Sequence, residues 1–367
     1  MGQNGLADRP HNPVTRPRAI ARWRWIVLPF IAGAAALVPW PQKAVDRVYA
    51  GGVYPHLQPI VTGVTNLVPF AILDLLVAGA IVGVVASGVR NWSRRRHVAG
   101  AIGASLVTVL NVAAGAYLAF LVLWGFNYQR TRPAIRYSVE SSRVTPARVA
   151  QAAMAAATAL NRDYRPARED STLAWAALVT RLQPLLDDTA RDLGASWRAR
   201  GGVPKWSAIG LLFPRAGVDG MVNPIGLEVI PNPEVLPFER PFVLAHEWAH
   251  LSGAAEESEA SFVGWMVCLR GAPDLRYSGW QALLLSLLRA VPPGVRQSVM
   301  SSLASGPRQD LRAIAARIAH AQPSVQQASW GVYDRYLRAN RVSEGVASYD
   351  EVVQLALGAA AARPYLP

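Results

Sequence analysis

The apolar residues of the chain are concentrated in its first third. Residues 25–124 are dominated by Ala, Val, Leu, Ile and Gly and carry few charges, whereas nearly all the acidic residues lie beyond residue 139. A membrane helix needs about 20 apolar residues to cross roughly 30 Å of hydrocarbon. Three stretches reach or approach that length: residues 25–40, 67–89 and 98–124. The pattern predicts three N-terminal transmembrane helices followed by a soluble domain.

The first stretch is the shortest and contains Pro29 and Pro39. Trp25 and Trp40 lie at its two ends, where interfacial aromatic side chains are expected. The alternative is a cleaved signal peptide, in which case the other two helices would still anchor the chain.

Basic residues predict the orientation, because short loops rich in Lys and Arg are retained in the cytoplasm. Arginines flank the first stretch and fill the loop between the second and third: Arg9, Arg16, Arg18, Arg22, Arg24, Arg90, Arg94, Arg95 and Arg96. The loop between the first and second offers only Lys43 and Arg47, opposed by Asp46. We expect a multi-pass protein of the cytoplasmic (inner) membrane, in contact with the lipid bilayer. Its predicted parts are a cytoplasmic N-terminus, a membrane region and an extracytoplasmic domain: residues 1–24, 25–125 and 126–367.

Two polar residues, Asp74 and Asn111, lie within the apolar stretches. An intramembrane functional site is one interpretation, because a buried acid costs about 2.5–3.5 kcal/mol on insertion scales. Hydrogen bonding between helices is the interpretation that we favour, because Asp74 is near the end of its stretch and neither residue has an obvious ionisable partner.

The formal charge of +13 does not indicate a nucleic-acid partner, because much of the excess lies beside the apolar stretches and not on one soluble face. Cys268 is the only cysteine and lies in the apolar run 262–269. It can form no intrachain disulfide and is expected to be a small core residue.

The outer domain has a mainly helical pattern with a short region of strands. Thr145 followed by Pro146 predicts an N-cap and the first turn of a helix that continues to about residue 160. Further helices are predicted over residues 171–193, with a bend at Pro184, and over 280–291, 325–337 and 349–357. Short apolar runs in 205–213 and 217–232 predict a few strands ending in a hairpin. The predicted fold class is α+β: three transmembrane helices followed by a mainly helical domain with a small β-sheet. The metal-binding motif described next makes this domain zincin-like.

The segment from His246 to His250 has the sequence HExxH and follows an apolar run that predicts a buried helix. Residues four apart share one helical face, so both imidazoles can reach one tetrahedral Zn²⁺. Glu247 then lies beside the metal without binding it, and can take a proton from a water on the zinc. Chance occurrence of the string, or a structural pair of histidines, is the alternative.

A third ligand is expected just beyond Gly253, which would end the helix and let the chain turn back. Three carboxylates compete for this role: Glu256, Glu257 and Glu259. Glu256 has the spacing of the third ligand in metzincins, which normally use His or Asp. Glu257 begins a Glu-Ser-Glu-Ala sequence similar to the ExxA pattern of gluzincins, and we prefer it. Glu259 points away from Glu257 on the same helix and is expected to support the ligands.

A zincin cleft also needs an edge strand to which an extended peptide can add, and residues 226–231 are the candidate. Tyr277, Tyr333 and Tyr336 lie downstream of the metal helix and could donate to a transition state, but each is equally plausible as a core residue.

Taken together, these motifs resemble a family of uncharacterised bacterial membrane proteins that are defined by a domain of unknown function and regarded as gluzincin-type zinc peptidases. The matching residues are Trp124 to Tyr128, Asn223-Pro224, Pro241-Phe242, His246-Glu247, Ala249-His250, Gly253, Glu257, Glu259-Ala260, Tyr277 to Gly279, Tyr333, Tyr336, Gly345 and Ser348-Tyr349. The resemblance implies His246, His250 and Glu257 as zinc ligands and Glu247 as the base. Two residues depart from the family pattern: Leu251 stands where Gln is common, and Ser261 stands where Asn is usual. These departures affect the residues around the expected ligands and not the ligands themselves.

The sequence thus predicts a membrane-anchored zinc metallopeptidase that hydrolyses extracytoplasmic proteins or peptides, with a zinc-bound water activated by Glu247. The alternative is a non-catalytic zinc-binding envelope protein that binds a partner or senses a signal. The presence of Glu247 and of only three plausible ligands favours the enzyme, because structural zinc sites are closed by four protein ligands. Intramembrane proteolysis is disfavoured by the polar surroundings of the motif and its distance from the last apolar stretch.

Overall fold

The computed structural model describes residues 20–38, 40–94, 98–169, 173–339 and 351–366. Most of these residues are helical. The longer helices are α1 (Ile20–Leu37), α2 (Tyr54–Thr65), α3 (Ile72–Arg94), α4 (Val98–Leu123), α5 (Pro146–Asp163), α6 (Trp175–Asp192), α7 (Arg240–Leu251), α8 (Glu257–Leu269), α9 (Pro273–Ala290), α10 (Pro293–Ser302), α11 (Ser305–Ile318), α12 (Pro323–Ala339) and α13 (Val352–Gly358). A short α-helical turn, Gln42–Ala44, and a π-helix, Val45–Val53, lead into α2.

Each helix predicted for the outer domain corresponds to an observed one: α5, α6, α9, α12 and α13. Thr145 caps α5 as expected, since its hydroxyl accepts a hydrogen bond from the Arg148 N–H at 3.3 Å. Many of the arginines used to predict orientation, namely Arg9, Arg16, Arg18, Arg95 and Arg96, lie outside the described residues, as do Gly345, Ser348 and Tyr349.

The chain forms two compact units. One contains α1 and the Ala80–Leu118 part of α3 and α4, and the other contains Pro39–Gly79 and the chain from Ala119 onward. The second unit therefore includes the whole α2 region and the first turns of α3 in addition to the predicted outer domain.

Two of the three predicted membrane helices are long and apolar enough to cross a bilayer. Among the described residues these are α3 and α4. Most of their side chains are not covered by other parts of the protein. The apolar part of α1, Ile26–Leu37, is shorter and does not reach that length, so a third spanning helix is not supported. Helix α3 begins later than residue 67 because the chain turns there, and the Ala71 N–H donates to the Trp206 carbonyl at 2.9 Å.

Asp74 finds its partners outside the membrane helices, contrary to the expected helix-to-helix hydrogen bond. Its carboxylate accepts hydrogen bonds from the Ser207 hydroxyl at 2.7 Å and the Ala208 N–H at 2.8 Å. The Asn111 amide donates to the Val107 carbonyl of its own helix at 2.8 Å. The acid in α3 thus joins the start of this helix to the loop that follows α6.

A two-stranded antiparallel sheet pairs β1 (Gly220–Asn223) with β2 (Glu228–Pro231), which confirms the predicted hairpin. Strand β2 is an edge strand of this two-stranded sheet, as we expected over residues 226–231, although one of its residues has a neighbour on the outer side. On its other side Pro204 forms a parallel bridge with Val229, and the Lys205 N–H donates to the Val229 carbonyl at 2.9 Å. Among the described residues, no bridge is formed on the outer side of β1, so this edge of the hairpin is open. Residues 205–213 form one isolated bridge, at Trp206, and then a 3-10 helix, Ile209–Leu212, instead of a strand.

An ion pair between Lys205 and Glu228 is completely buried behind this hairpin, with Nζ and Oε2 3.0 Å apart. The Glu228 carboxylate also accepts hydrogen bonds from the backbone N–H groups of Ile72 and Leu73 at 3.0 and 2.9 Å and from the Asn223 amide at 2.9 Å. Negative charge is favourable at a helix N-terminus, so Glu228 caps α3 while Lys205 balances its charge.

We predict that Lys205→Met lowers the free energy of unfolding by about 3–5 kcal/mol, because it leaves the Glu228 carboxylate buried without its cation. The measurement is denaturant unfolding of the full chain in detergent micelles, followed by tryptophan fluorescence. Arg191→Ala is the control, since the Arg191–Asp188 pair is 60% and 50% exposed and such pairs contribute about 0–1 kcal/mol. Equal effects of the two substitutions would contradict the importance of the buried pair.

Candidate metal centre

The HExxH segment lies in α7, a helix surrounded by α6, α8, α9 and the β1–β2 hairpin. The apolar residues that precede and interleave the motif are buried: Val243, Leu244, Ala245, Trp248 and Ala249. His246 and His250, one turn apart, face the same side with ring centroids 4.8 Å apart and planes nearly perpendicular at 89°. The helix thus presents two imidazoles side by side from a rigid, buried element.

Gly253 ends the helix and reverses the chain, as predicted. Its φ of +92° is a left-handed conformation that glycine adopts without strain. The Gly253 N–H donates to the His250 carbonyl at 2.8 Å, and the Ala254 N–H donates to the Ala249 carbonyl at 3.1 Å. The turn allows α8 to begin at Glu257 and to run back against α7.

Glu257 is the carboxylate that reaches the two imidazoles. Its Oε2 lies 3.2 Å from His246 Nε2 and 3.6 Å from His250 Nε2. One ligand atom from each of the three side chains lies within 4.8 Å of the others, and no other such group of three is found in the described part of the chain. The structure therefore brings together the three predicted ligands.

Glu259 and Glu256 have other environments. The buried Glu259 carboxylate accepts hydrogen bonds from Arg136 Nη2 at 2.6 Å and from the Tyr137 hydroxyl at 2.5 Å. Glu256 is the residue before α8 and lies outside the group of three ligands. Burial, with the negative charge of Glu259, raises the pKa of Glu256 to about 7. Neither carboxylate replaces Glu257 beside the imidazoles.

Each imidazole is oriented through its other nitrogen. The His250 Nδ1–H donates to the Ala254 carbonyl at 2.6 Å, and His246 Nδ1 lies 3.3 Å from the Ser261 hydroxyl. Hydrogen bonds of this kind fix the tautomer of metal-ligating histidines and leave Nε2 free to coordinate. Ser261, a departure from the family pattern, thus lies where it can orient His246.

Glu247 is buried beside the three ligands and one of its oxygens, Oε2, has no hydrogen-bond partner within the described residues. Its carboxylate lies directly against strand β1. A Cβ at Gly220 would be 2.6 Å from Glu247 Oε1, so the strand approaches this closely only because residue 220 is glycine. A buried polar atom without a partner is unusual and marks Glu247 as a candidate for contact with a ligand.

The titratable side chains of this site influence one another's pKa. Burial raises the pKa of Glu247 to about 7, although the two imidazoles oppose this rise. Burial disfavours protonation of His250, but the adjacent Glu257 carboxylate outweighs it and raises the pKa of His250 to about 9. Burial also disfavours ionisation of Glu257, yet the imidazoles hold its pKa well below the usual range. The group of Glu247, His250 and Glu257 therefore attracts positive charge.

The approach of α8 to α7 depends on Gly264, which sequence analysis did not single out. A Cβ at this position would lie 2.9 Å from the His246 backbone nitrogen and 3.1 Å from its Cα. Because the obstructing atoms are backbone, a larger residue would have to push the helices apart. The signal was a glycine inside an apolar helix, which can indicate close packing but does not identify the partner.

The carbonyls at the C-terminal end of α7 are satisfied by residues from distant parts of the chain. The Tyr54 hydroxyl donates to the Leu251 carbonyl at 3.0 Å, and Arg130 Nη1 donates to the Gly253 carbonyl at 3.0 Å. Trp124 Nε1 donates to the His250 carbonyl at 3.4 Å. The segment after α4 and the first residue of α2 thus complete the end of the candidate metal helix.

Arg317, near the end of α11, connects strand β1 with the start of α7, the helix that carries Glu247. It donates to Asp219 Oδ1 at 2.8 Å and to both oxygens of Glu239 at 2.6 and 2.9 Å. Asp219 directly precedes Gly220 on β1, and Glu239 directly precedes α7. Sequence analysis missed this buried arginine because its partners lie 78 and 98 residues away.

Tyr277, one of the tyrosines considered as transition-state donors, lies in a different cluster of polar side chains. The Tyr277 hydroxyl donates to Asp310 Oδ2 at 2.6 Å, in a cluster with Arg168. The side chains of Tyr333 and Tyr336 lie outside the described residues.

We predict that Gly264→Ala weakens binding of Zn²⁺ at least tenfold, because the added methyl separates Glu257 on α8 from the imidazoles on α7. The measurement is a titration of the purified full chain with Zn²⁺ in competition with a chromophoric chelator. Gly294→Ala is the matched control, since a Cβ at Gly294 meets no atom within 4 Å. Unaltered affinity in Gly264→Ala would show that the helix spacing does not control the site.

A family model described as "Protein of unknown function (DUF3810)" matches residues 49–357, which is most of the chain. The matched range includes the π-helix from Tyr49 onward, α2 to α12, nearly all of α13 and every residue of the candidate centre. No curated protein and no solved structure matches the chain. The motif resemblance to a family of unknown function is confirmed, and the peptidase activity attached to it stays a prediction. The chain belongs to DUF3810, a family of proteins of unknown function.

Proposed function

We propose that this protein is a membrane-anchored zinc metallopeptidase that hydrolyses peptide bonds in extracytoplasmic proteins or peptides. The observation that carries the proposal is the convergence of His246, His250 and Glu257, with Glu247 buried beside them and one of its carboxylate oxygens unpartnered. A purely structural pair of histidines requires neither the third ligand nor the free carboxylate.

The donor set fits zinc. Two imidazoles and one carboxylate are the protein ligands of many catalytic zinc sites, which keep one position open for water or substrate. Both Nδ1 atoms have partners at Ala254 and Ser261, so both Nε2 atoms are available. When bound, zinc would act as a Lewis acid toward the attacking water and the scissile carbonyl.

Glu247 is the proposed general base. Its carboxylate would take one proton from the attacking water, whose oxygen adds to the carbonyl carbon, and would return that proton to the amide nitrogen as the carbon–nitrogen bond breaks. The reaction thus consumes one water and one peptide bond, releases a carboxylic acid and an amine, and regenerates the Glu247 carboxylate.

The open edge of β1 is the proposed docking strand for the substrate. The Asn232 N–H donates to the Asp219 carbonyl at 2.9 Å, so the main-chain groups of Asp219 face β2. Because this direction alternates along an antiparallel strand, the main-chain groups of Met221 also face β2. The main-chain groups of Gly220 and Val222 then face away from β2. An extended peptide that paired with them would pass alongside Glu247.

Helices α3 and α4 are the proposed membrane anchors. The positive-inside rule applied to Arg90 and Arg94, with Arg95 and Arg96 of the sequence, assigns the connection between these helices to the cytoplasm. The candidate centre would then lie on the extracytoplasmic side of the cytoplasmic membrane, in a multi-pass protein.

We predict that Glu247→Gln keeps zinc binding and abolishes hydrolysis, with a loss of at least 100-fold, because the amide cannot accept the proton. Zinc would be measured by elemental analysis of the purified full chain. Hydrolysis would be measured as new protein N-termini in envelopes of cells carrying the wild-type or the variant chain. Glu234→Gln, at an exposed carboxylate, is the control. Zinc retention with an unchanged set of N-termini would contradict the enzyme and favour a non-catalytic zinc protein.

We also predict that Gly220→Ala reduces hydrolysis at least tenfold while zinc content stays at one per chain. The new methyl would occupy the position of the Glu247 carboxylate, which is the flexible end of a side chain and can swing aside without unfolding the site. The measurements are the same as for Glu247→Gln, and Gly294→Ala is again the control. Full activity in Gly220→Ala would show that Glu247 does not work from its position against β1.

A further inference from the structure

Helix α2 has the reverse of the polarity expected for a helix in a water-soluble domain. Its buried side chains include the polar Gln58 and Thr62, both 0% exposed, whereas Ile60 and Val64 are 66% and 59% exposed. Leu67, just after the helix, is 82% exposed. His56, one turn before Ile60, is an exposed polar side chain on this helix. In water such a helix would turn its apolar face inward.

The segment 203–212 repeats this reversal. Its only charged residue, Lys205, is 3% exposed and paired with Glu228, while Trp206, Leu211 and Leu212 are 61%, 56% and 53% exposed. Burying an ammonium and exposing three large apolar side chains in the same short segment is unfavourable in water on both counts. The arrangement is favourable where the outer environment is apolar.

The two reversed segments form one surface. The Gln58 amide donates to the Arg200 carbonyl at 2.8 Å, the Asn66 amide donates to the Gly201 carbonyl at 3.1 Å, and the Val203 N–H donates to Asn66 Oδ1 at 2.9 Å. The polar side chains of α2 are therefore used to hold the second segment from within. We call the outward side of these segments the inverted surface; it consists of Val53, Ile60, Val64, Leu67, Val203, Trp206, Leu211 and Leu212.

The inverted surface is continuous with the start of α3, a candidate membrane helix. Phe70 forms a parallel bridge with Trp206, and Ile209 packs against the core cluster that contains Ala71, the residue before α3. Leu75, in the first turns of α3, is 59% exposed like the residues of the inverted surface. An apolar surface that joins the end of a spanning helix, with a tryptophan at the junction, is expected at the membrane–water interface.

From this polarity and continuity we infer that the inverted surface lies in the outer leaflet of the bilayer, as a lipid-contacting face additional to the spanning helices. A second copy of the chain fits less well, because protein interfaces carry about one hydrogen bond per 100–200 Å². Here the polar side chains Gln58, Thr62 and Lys205 point inward and are already bonded within the same unit. This inference rests on the membrane anchoring in the proposed function, and requires neither zinc nor hydrolysis.

The experiment measures the depth of a fluorophore in vesicles that contain the full-length chain. Cys268, the only native cysteine, is buried and is replaced by Ala, and one cysteine is then introduced for labelling with bimane. The test positions are Leu212→Cys and Ile60→Cys. Val82→Cys, in α3, is the positive control, and Met154→Cys is the aqueous control, because it is partly exposed on α5, which packs against α9 and α10. The vesicles contain phosphatidylcholine with or without bromine on the acyl chains, since brominated chains quench only fluorophores that reach the hydrocarbon.

We expect quenching at positions 212 and 60 to be at least half of that at position 82, with less than one tenth at position 154. Absence of quenching at 212 and 60, with normal quenching at 82, would overturn the lipid contact and leave the anchoring intact. Disulfide-linked dimers through Leu212→Cys without quenching would also overturn it, and would identify a second copy as the occupant. Absence of quenching at position 82 as well would overturn the anchoring by α3 together with this inference.

Discussion

The close crossing of α7 and α8 determines the geometry of the whole candidate centre. Helical periodicity alone sets His246 and His250 on one face, but the carboxylate that meets them belongs to another helix. The position of that carboxylate depends on Gly264, because a residue without a side chain lets α8 lie close to the backbone of His246. The turn at Gly253 supplies the short connection that this approach requires. Backbone contact between two buried helices, and not a set of flexible side chains, therefore holds the three groups within ligand distance.

Three carboxylates near this crossing pair with basic side chains: Glu259 with Arg136, Glu239 with Arg317, and Glu228 with Lys205. Glu247 has two imidazoles and two carboxylates, those of Glu257 and Asp219, as its strongest charged neighbours, and burial is the main influence on its pKa. The paired carboxylates hold elements of the fold together. Glu247, which has no such cation beside it among the described residues, is the group that we propose as the base, because acids with perturbed pKa values and no structural partner are typical of functional sites.

The sequence was most informative where the controlling interactions are local. The HExxH spacing, the helix end at Gly253 and the cap at Thr145 involve residues within a few positions of each other, and the hairpin was located for the same reason. Gly220, Gly264 and Arg317 act through contacts with distant segments, and no pattern within one sequence identifies such partners. The isolated bridge between Pro204 and Val229 on the outer side of β2 was not foreseeable, because it joins separate segments of the chain. The spanning length of α1 was overestimated because its apolar part is short, and the reversed polarity of α2 was hidden because periodicity does not reveal which face is buried.

Helix α2 also supports two segments that lie far from it in the sequence. Thr62 donates to the Leu227 carbonyl in the hairpin turn, and Tyr54 donates to the last carbonyl of α7. The loop between the first two apolar helices is thus an internal support for segments made much later in synthesis. The hairpin turn and the end of α7 therefore reach their full set of hydrogen bonds only when α2 is in place beside them.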